Sequence, residues 1–187
     1  MDEITVEEVK LALKRLRNGR AAGPDGIRAE HLKALLCNPT SMSALTKLLN
    51  FCWREERAPS AWHLAHVSAI YKKGLVHDAA NYRPISLLDI TYKLLASIIR
   101  MRLVGASAED RLSAGQFGFR SGFSTQDAIF VLRRRLESAW AQRNGRLYVL
   151  ALDWAKAFDS LDPEAMLEAL RRFGLPRKKL TLAEAIH

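Results

Sequence analysis

Residues 147–153 read Leu-Tyr-Val-Leu-Ala-Leu-Asp, an unbroken apolar run of strand length that delivers the Asp153 carboxylate at its C-terminal end. Such a run predicts a buried strand. A little further on, Asp162 as N-cap and Pro163 at the first helical position start a helix through Met166, Leu167, Leu170 and Phe173, which Gly174 and Pro176 close. The last third of the chain therefore reads as strand, sharp turn, helix. A strand end that holds a carboxylate rigidly suits divalent cations and metal-assisted phosphoryl transfer. A lone Asp in that position is more often a turn or cap residue, so the rest of the chain has to decide.

Working outward, the N-terminal side is helical. Thr5 and Glu8 have capping-box spacing, Ile4 and Val9 fit the hydrophobic staple, and Val9, Leu13 and Leu16 form one apolar stripe. After Gly19, the sequence Gly23-Pro24-Asp25-Gly26 predicts a tight turn that launches a second helix through Leu32, Leu35 and Leu36. A third helix is expected from about Ser41 to Glu56, stopped by Pro59. The texture changes near Trp62: Ala65 to Tyr71 mixes β-branched and aromatic residues, which predicts a strand feeding the basic loop Lys72-Lys73-Gly74. Beyond Asn81-Tyr82-Arg83-Pro84, Ser86 and Asp89 are candidate caps of a long helix carrying Leu87, Ile90, Leu94, Ile98 and Leu103 at helical spacing. A Gly-rich stretch, residues 115–122, precedes a helix capped by Ser124 with Ile129, Leu132 and Leu136 expected to face inward, and Asn144-Gly145 marks a turn.

Composition narrows the class. The 187 residues hold 49% apolar and 26% charged side chains, enough to build a core and too apolar for a wholly disordered chain. No apolar run approaches the roughly 18 to 20 residues that cross a bilayer, and the acidic opening lacks the pattern of a signal peptide, so membrane insertion and classical secretion are disfavoured. Cys37 and Cys52 lack CxxC spacing and are expected to be small buried thiols in a reducing compartment. The net charge of +9 invites a polyanion as partner, with a solvated basic surface as the alternative. Lys72, Lys73 and Arg83 flank one strand and the next element, and such cations can clamp a triphosphate or simply face water. No GxxxxGK[ST] loop exists to support an unrelated ATP-dependent enzyme.

Five segments, in order, carry a resemblance: AAGPDGIRAEHLKAL from Ala21, WHLAHVSAIYKKG from Trp62, NYRPISLLDITYKLLASIIRMRL from Asn81, QFGFRSGFSTQDAI from Gln116 and YVLALDWAKAFDSLD from Tyr148. Together they resemble the N-terminal portion of a reverse transcriptase of the type encoded by retrotransposons without long terminal repeats. The resemblance implies an α+β fold that is part of a right-hand polymerase: helix-rich fingers plus the first strand and helix of the palm, an incomplete fold. Residues 1–60 would be a helical N-terminal extension, 61–146 the fingers and 147–187 the beginning of the palm.

The same resemblance assigns roles. Asp153 matches the first metal-binding aspartate, and the backbone carbonyl of Trp154 often completes such a site. Phe158 matches the aromatic gate whose ring would collide with a 2′-hydroxyl. Arg83 matches the arginine on the incoming triphosphate, and Lys72 or Lys73 the basic position on the preceding strand. Gln116, Gly118 and Arg120 match a segment associated with the template, a turn with an exposed Arg being nearly as good a description. Asp25 and Gly26 belong to an architectural motif, Asp159 to the AFD signature with a local hydrogen bond or cap as its role rather than a metal, and Arg133, Arg134 and Arg135 to a solvated helix face, with RNA backbone contact as the second choice. The implied ligands are Mg²⁺, deoxynucleotides, an RNA template and a DNA primer, and the implied address is the nucleus. The family's YxDD motif does not occur in the 187 residues. One Asp cannot hold two ions, so this chain alone is expected to be inactive, with the apolar edge of residues 147–152 leaving it prone to self-association or to partial unfolding at the C-terminus. The alternative reading is a noncatalytic RNA-binding module or a remnant of a decayed element.

Overall fold

The Thr5–Glu8 capping box forms as the spacing requires: the Glu8 amide donates to Thr5 Oγ1 at 3.2 Å and the Thr5 amide to Glu8 Oε2 at 2.8 Å. It starts helix α1 (Val6–Arg15), which buries Val9, Ala12 and Leu13. The computed structural model describes residues 2–154, 156–158 and 160–185. Helix α2 (Ala29–Ala34) tightens into one 3₁₀ turn over Leu35–Cys37. Helix α3 (Pro39–Glu55) begins two residues before the expected Ser41. The cause is Asn38, whose side chain accepts the amides of Thr40 and Ser41 while Pro39 occupies the first turn. Glu56, in the left-handed region at φ 52°, ends it ahead of Pro59.

Strand β1 (His66–Tyr71) pairs antiparallel with β2 (Tyr82–Leu87), and no further strand joins them among the described residues. Here the sequence reading is corrected: Ser86 and Leu87 belong to a strand, and helix α4 starts only at Ile90 and runs to Gly105. Proline lacks the N–H that a ladder uses, and the register explains why Pro84 is tolerated. The Lys72 amide donates to the Asn81 carbonyl at 2.8 Å, so counting back along the ladder places the Ala69–Pro84 pair where no N–H is exchanged.

The chain divides into two compact units, one running up to Arg102 and resuming at Pro163, the other covering Leu103–Asp162. The first holds every buried apolar side chain among the described residues. Val9 and Leu13 of α1, Leu49 and Trp53 of α3, and Leu94 and Ile98 of α4 are its centre. Helix α6 (Pro163–Arg172) starts at Pro163 as expected, with Gly174 at φ 88° beyond its end. Helix α7 (Arg177–Ala185), which the sequence reading did not contain, brings Leu182 into this core at 0% exposure.

Glu8 and Arg102, 94 positions apart, join the first unit electrostatically. The Arg102 Nε donates to Glu8 Oε1 at 2.6 Å, one terminal nitrogen donates to Glu8 Oε2 at 2.8 Å, and the guanidinium also reaches the carbonyls of Asp2 and Glu3. It lies 4.6 Å from the centre of the Trp53 ring, and Lys178 of α7 lies 5.2 Å from the same ring. Bonding to Arg102 holds the Glu8 carboxyl below the usual carboxylate range.

The second unit is built differently. Helix α5 (Thr125–Trp140) has its capping box at Ser124 and Asp127, but its apolar side chains do not face a core: Ile129 and Leu132 are exposed and Leu136 is half-buried. Residues 147–152 form neither helix nor strand, and Tyr148 and Leu150 are more than 80% exposed. A strand persists through its pairing partner, and none is present for this run among the described residues. The thiols divide as well: Cys52 is buried, its pKa raised by desolvation, whereas Cys37 is exposed, contrary to expectation. Among the described residues no helix is long and apolar enough to cross a membrane.

Candidate functional site

The two halves of the candidate site fall in different units. In the first, Arg83 stands opposite Ile70 in the β1–β2 register. The Lys72–Asn81 hydrogen bond continues that register by two positions, so Lys72 lies on the same face of the ribbon as Ile70 and Arg83, diagonal to Arg83. Lys73, one residue on, is out of that alternation. The opposite face carries the cross-strand pair Tyr71–Tyr82, ring centres 5.5 Å apart. Both hydroxyls tie the connecting loop to it: Tyr71 donates to the Gly74 carbonyl at 2.6 Å and Tyr82 to the Val76 carbonyl at 2.9 Å. Asn81 adds a bond from Nδ2 to the Leu75 carbonyl at 2.9 Å. The two hydroxyls thus fasten the loop to the tyrosine side, and Lys72 and Arg83 share the exposed other side.

In the second unit the Gly-rich segment folds on itself. Gln116 donates from Nε2 to the Gly118 carbonyl at 2.9 Å, the Arg120 guanidinium lies 4.5 Å from the centre of the Phe123 ring, and Phe117 meets Phe123 edge to face. Phe119, in the left-handed region at φ 61°, turns its ring onto Phe158 at 6.1 Å and 85°. This contact brings the segment around Gln116, Gly118 and Arg120 together with the segment after Asp153. Asp153, Trp154 and Phe158 are exposed. Asp159 lies outside the described residues. Arg133 and Arg134 both pair with Glu137 on the surface of α5, which agrees with a solvated helix face.

Asp153 contributes one carboxylate, with the Trp154 carbonyl next to it in the chain. Among the described residues no group of three or more His, Cys, Asp or Glu is placed to hold a metal ion. A pair of divalent ions does not fit this donor set.

Two features of the first unit had no sequence signal: the docking of the predicted 23–26 turn on Asp89, and the cation-lined cavity beside it. Residues 23–26 close a turn with the Gly26 amide donating to the Gly23 carbonyl at 3.1 Å, and the turn rests on the junction between β2 and α4. There Asp89, 3% exposed, accepts the Asp25 amide at 3.2 Å. Beside this contact lies a cavity of about 140 Å³ floored by Gly23, Ile27, Leu88 and Ile90, with Arg17, Arg20, Arg28 and Lys93 among its lining. The lining contains no carboxylate, and no side-chain ion pair engages these four cations among the described residues. They come from three separate stretches of chain, so no run in the sequence marks the cluster.

Comparison with known proteins identifies the frame in which these groups sit. Residues 70–186 match the family described as reverse transcriptase (RNA-dependent DNA polymerase). More than half of the chain is covered, and the chain belongs to that family. A Pol polyprotein from the type-1 retrotransposable element R1 of Bradysia coprophila is 32% identical over 88% of this chain and 16% of its own length. The probable RNA-directed DNA polymerase from transposon BS of Drosophila melanogaster is 30% identical over 90% of the chain and 18% of its own length. The RNA-directed DNA polymerase from the Drosophila melanogaster mobile element jockey is 28% identical over 97% and 20%. These relatives are polymerases of retrotransposons without long terminal repeats. The chain spans about a sixth to a fifth of their length.

Proposed function

We propose that the whole protein is a retrotransposon reverse transcriptase that adds deoxynucleotides to a DNA primer on an RNA template, and that this chain supplies its triphosphate-facing hairpin and first metal-binding aspartate. In this reading residues 1–60 are an N-terminal extension, 61–146 the fingers and 147–187 the start of the palm of a right-hand polymerase. The observation that carries it is the shared face of Lys72 and Arg83 on a ribbon inside the family match. A guanidinium and an ammonium two register positions apart suit neighbouring phosphates, the Arg as a fork and the Lys as a point charge. Of the two lysines, Lys72 is the one assigned to phosphate.

The other site residues follow the same reading. Phe158 is the sugar gate, and its exposed ring against Phe119 is available to a deoxyribose. Arg120, Gly118 and Gln116 face the template. Asp153, with the Trp154 carbonyl, is one part of the ligand set for Mg²⁺, which supplies charge neutralisation at the reacting phosphate when bound. The test is binding of a fluorescent deoxynucleoside triphosphate by anisotropy. Arg83→Ala and Lys72→Ala should each weaken binding about five-fold or more, a loss near 1 kcal/mol, while Lys73→Ala should stay within about two-fold. Equal losses for the two lysines would refute the assignment.

A second reading, a nucleic-acid-binding module, is favoured by one observation, the four cations that line the cavity beside residues 23–27. It coexists with the first, because a polymerase must also hold its template.

A further inference from the structure

We propose that the turn at residues 23–26 is a positioning element for the nucleotide-facing hairpin, with Asp89 and Gly23 as the positioning residues. The inference rests on the reading that Lys72 and Arg83 contact the triphosphate.

Strand β2 carries Arg83, ends at Leu87, and passes through Leu88 and Asp89 directly into α4. Both faces of the hairpin are largely exposed, so its direction is set where it leaves the core. Two residues separate a solvent-facing ribbon from a helix whose Leu94 and Leu95 are fully buried, and these two residues act as the hinge. The turn closes on that hinge from the other side. A Cβ on Gly23 would lie 2.5 Å from the Asp89 nitrogen, 2.5 Å from the Leu88 carbonyl carbon and 2.6 Å from Asp89 Oδ1. Backbone is therefore packed directly on backbone, where only glycine fits. The buried Asp89 carboxylate completes the clasp by accepting the Asp25 amide. The Asp89 carbonyl meanwhile accepts the Lys93 amide in the first turn of α4, so one residue anchors the turn and the helix start together. A ribbon swinging about this hinge would carry Lys72 and Arg83 as a pair, and a displacement of about 1 Å at reacting groups costs on the order of a hundred-fold in rate.

The experiment uses a doubly spin-labelled chain, with one label on Cys37, which is exposed, and one on the thiol introduced by Val76→Cys at the hairpin tip; Cys52 is buried. Asp89→Leu removes the acceptor at nearly constant volume, whereas Asp89→Asn keeps an oxygen for the Asp25 amide. The expected result is a broadened interlabel distance distribution and about ten-fold weaker deoxynucleoside triphosphate binding in Asp89→Leu and Gly23→Ala, with both readouts restored in Asp89→Asn. A lowered melting temperature with unchanged distances and affinity would overturn the proposal by reducing these residues to structural ones. If the variants do not fold, hydrogen exchange of the unmodified chain decides. The Asp25 and Lys93 amides should open together, and unprotected exchange at Asp25 would overturn the proposal. Arg83→Ala separates the two ideas: if it leaves nucleotide binding intact, the functional reading fails, and the label distances still report on the hinge.

Discussion

Replacing Arg102 with Met removes the guanidinium while keeping an unbranched stem over Trp53. The loss comprises two charge-assisted bonds to Glu8, at 2.6 and 2.8 Å, two more to the Asp2 and Glu3 carbonyls, and the stacking on Trp53. The pair is shielded, with side chains 17% and 28% exposed, so the weak-surface-pair rule does not apply. What remains is a shielded Glu8 carboxylate held by Thr5 alone of its two former partners, and two carbonyls that have lost their Arg102 donor. Net charge-assisted bonds are worth roughly 1.5 to 3 kcal/mol and a cation–π contact about 1, and these are not additive, so the expected loss is about 3 kcal/mol. For a chain of this size that lowers the melting temperature by about 9 °C at neutral pH. Glu8 adds a pH signature. Its folded pKa is depressed from the ordinary 4.5 by Arg102, so its contribution is complete above about that pH and disappears as the pH falls through the lowered folded value. The acid limb of the stability profile should therefore flatten in Arg102→Met. Glu8→Gln, which retains the capping box, completes a double-mutant cycle by calorimetry or urea denaturation. A melting temperature within about 2 °C of the parent, or strictly additive single losses, would refute the reasoning.

Three further outcomes are expected. Gly74→Ala should loosen the hairpin loop, since Gly74 sits at φ +101° and a Cβ there would lie 2.6 Å from the Asn81 side-chain nitrogen; faster exchange of the Lys72 amide reads it out, and an unchanged rate would count against the loop's fastening. Substituting Arg17 and Arg20 together by Ala should weaken RNA binding and lower the slope of log affinity against log salt by about 1.4, as for two lost phosphate contacts to a single strand; an unaltered slope would remove the cavity from the nucleic-acid path. Leu150→Lys should reduce self-association measured by sedimentation velocity, because Leu150 is 82% exposed in an unpaired apolar run; equal association in both proteins would point to another surface.

Chain order and local chemistry made part of this molecule legible without coordinates. The capping box at Thr5, the cap at Ser124, the turn at Gly23–Gly26 and the start of α6 at Pro163 all appear where the sequence placed them. Each is decided by interactions within a few residues, so their energies are written in the local sequence. Family membership was equally legible, because it rests on five ordered segments rather than on packing. Strand β2 was not: Pro84 reads as a strand breaker until the register shows that its missing N–H has no partner to disappoint. Helix α5 was misread because its 3.6-residue period says which side chains are apolar and not whether anything covers them. Only the tertiary structure puts Lys72 rather than Lys73 on the face of Arg83, since cross-strand register, not adjacency, decides which side chains share it. It alone joined Arg102 to Glu8 and set Gly23 against Asp89, contacts between residues 94 and 66 positions apart, where no local rule operates and only the closing of the chain around a common core brings the groups together.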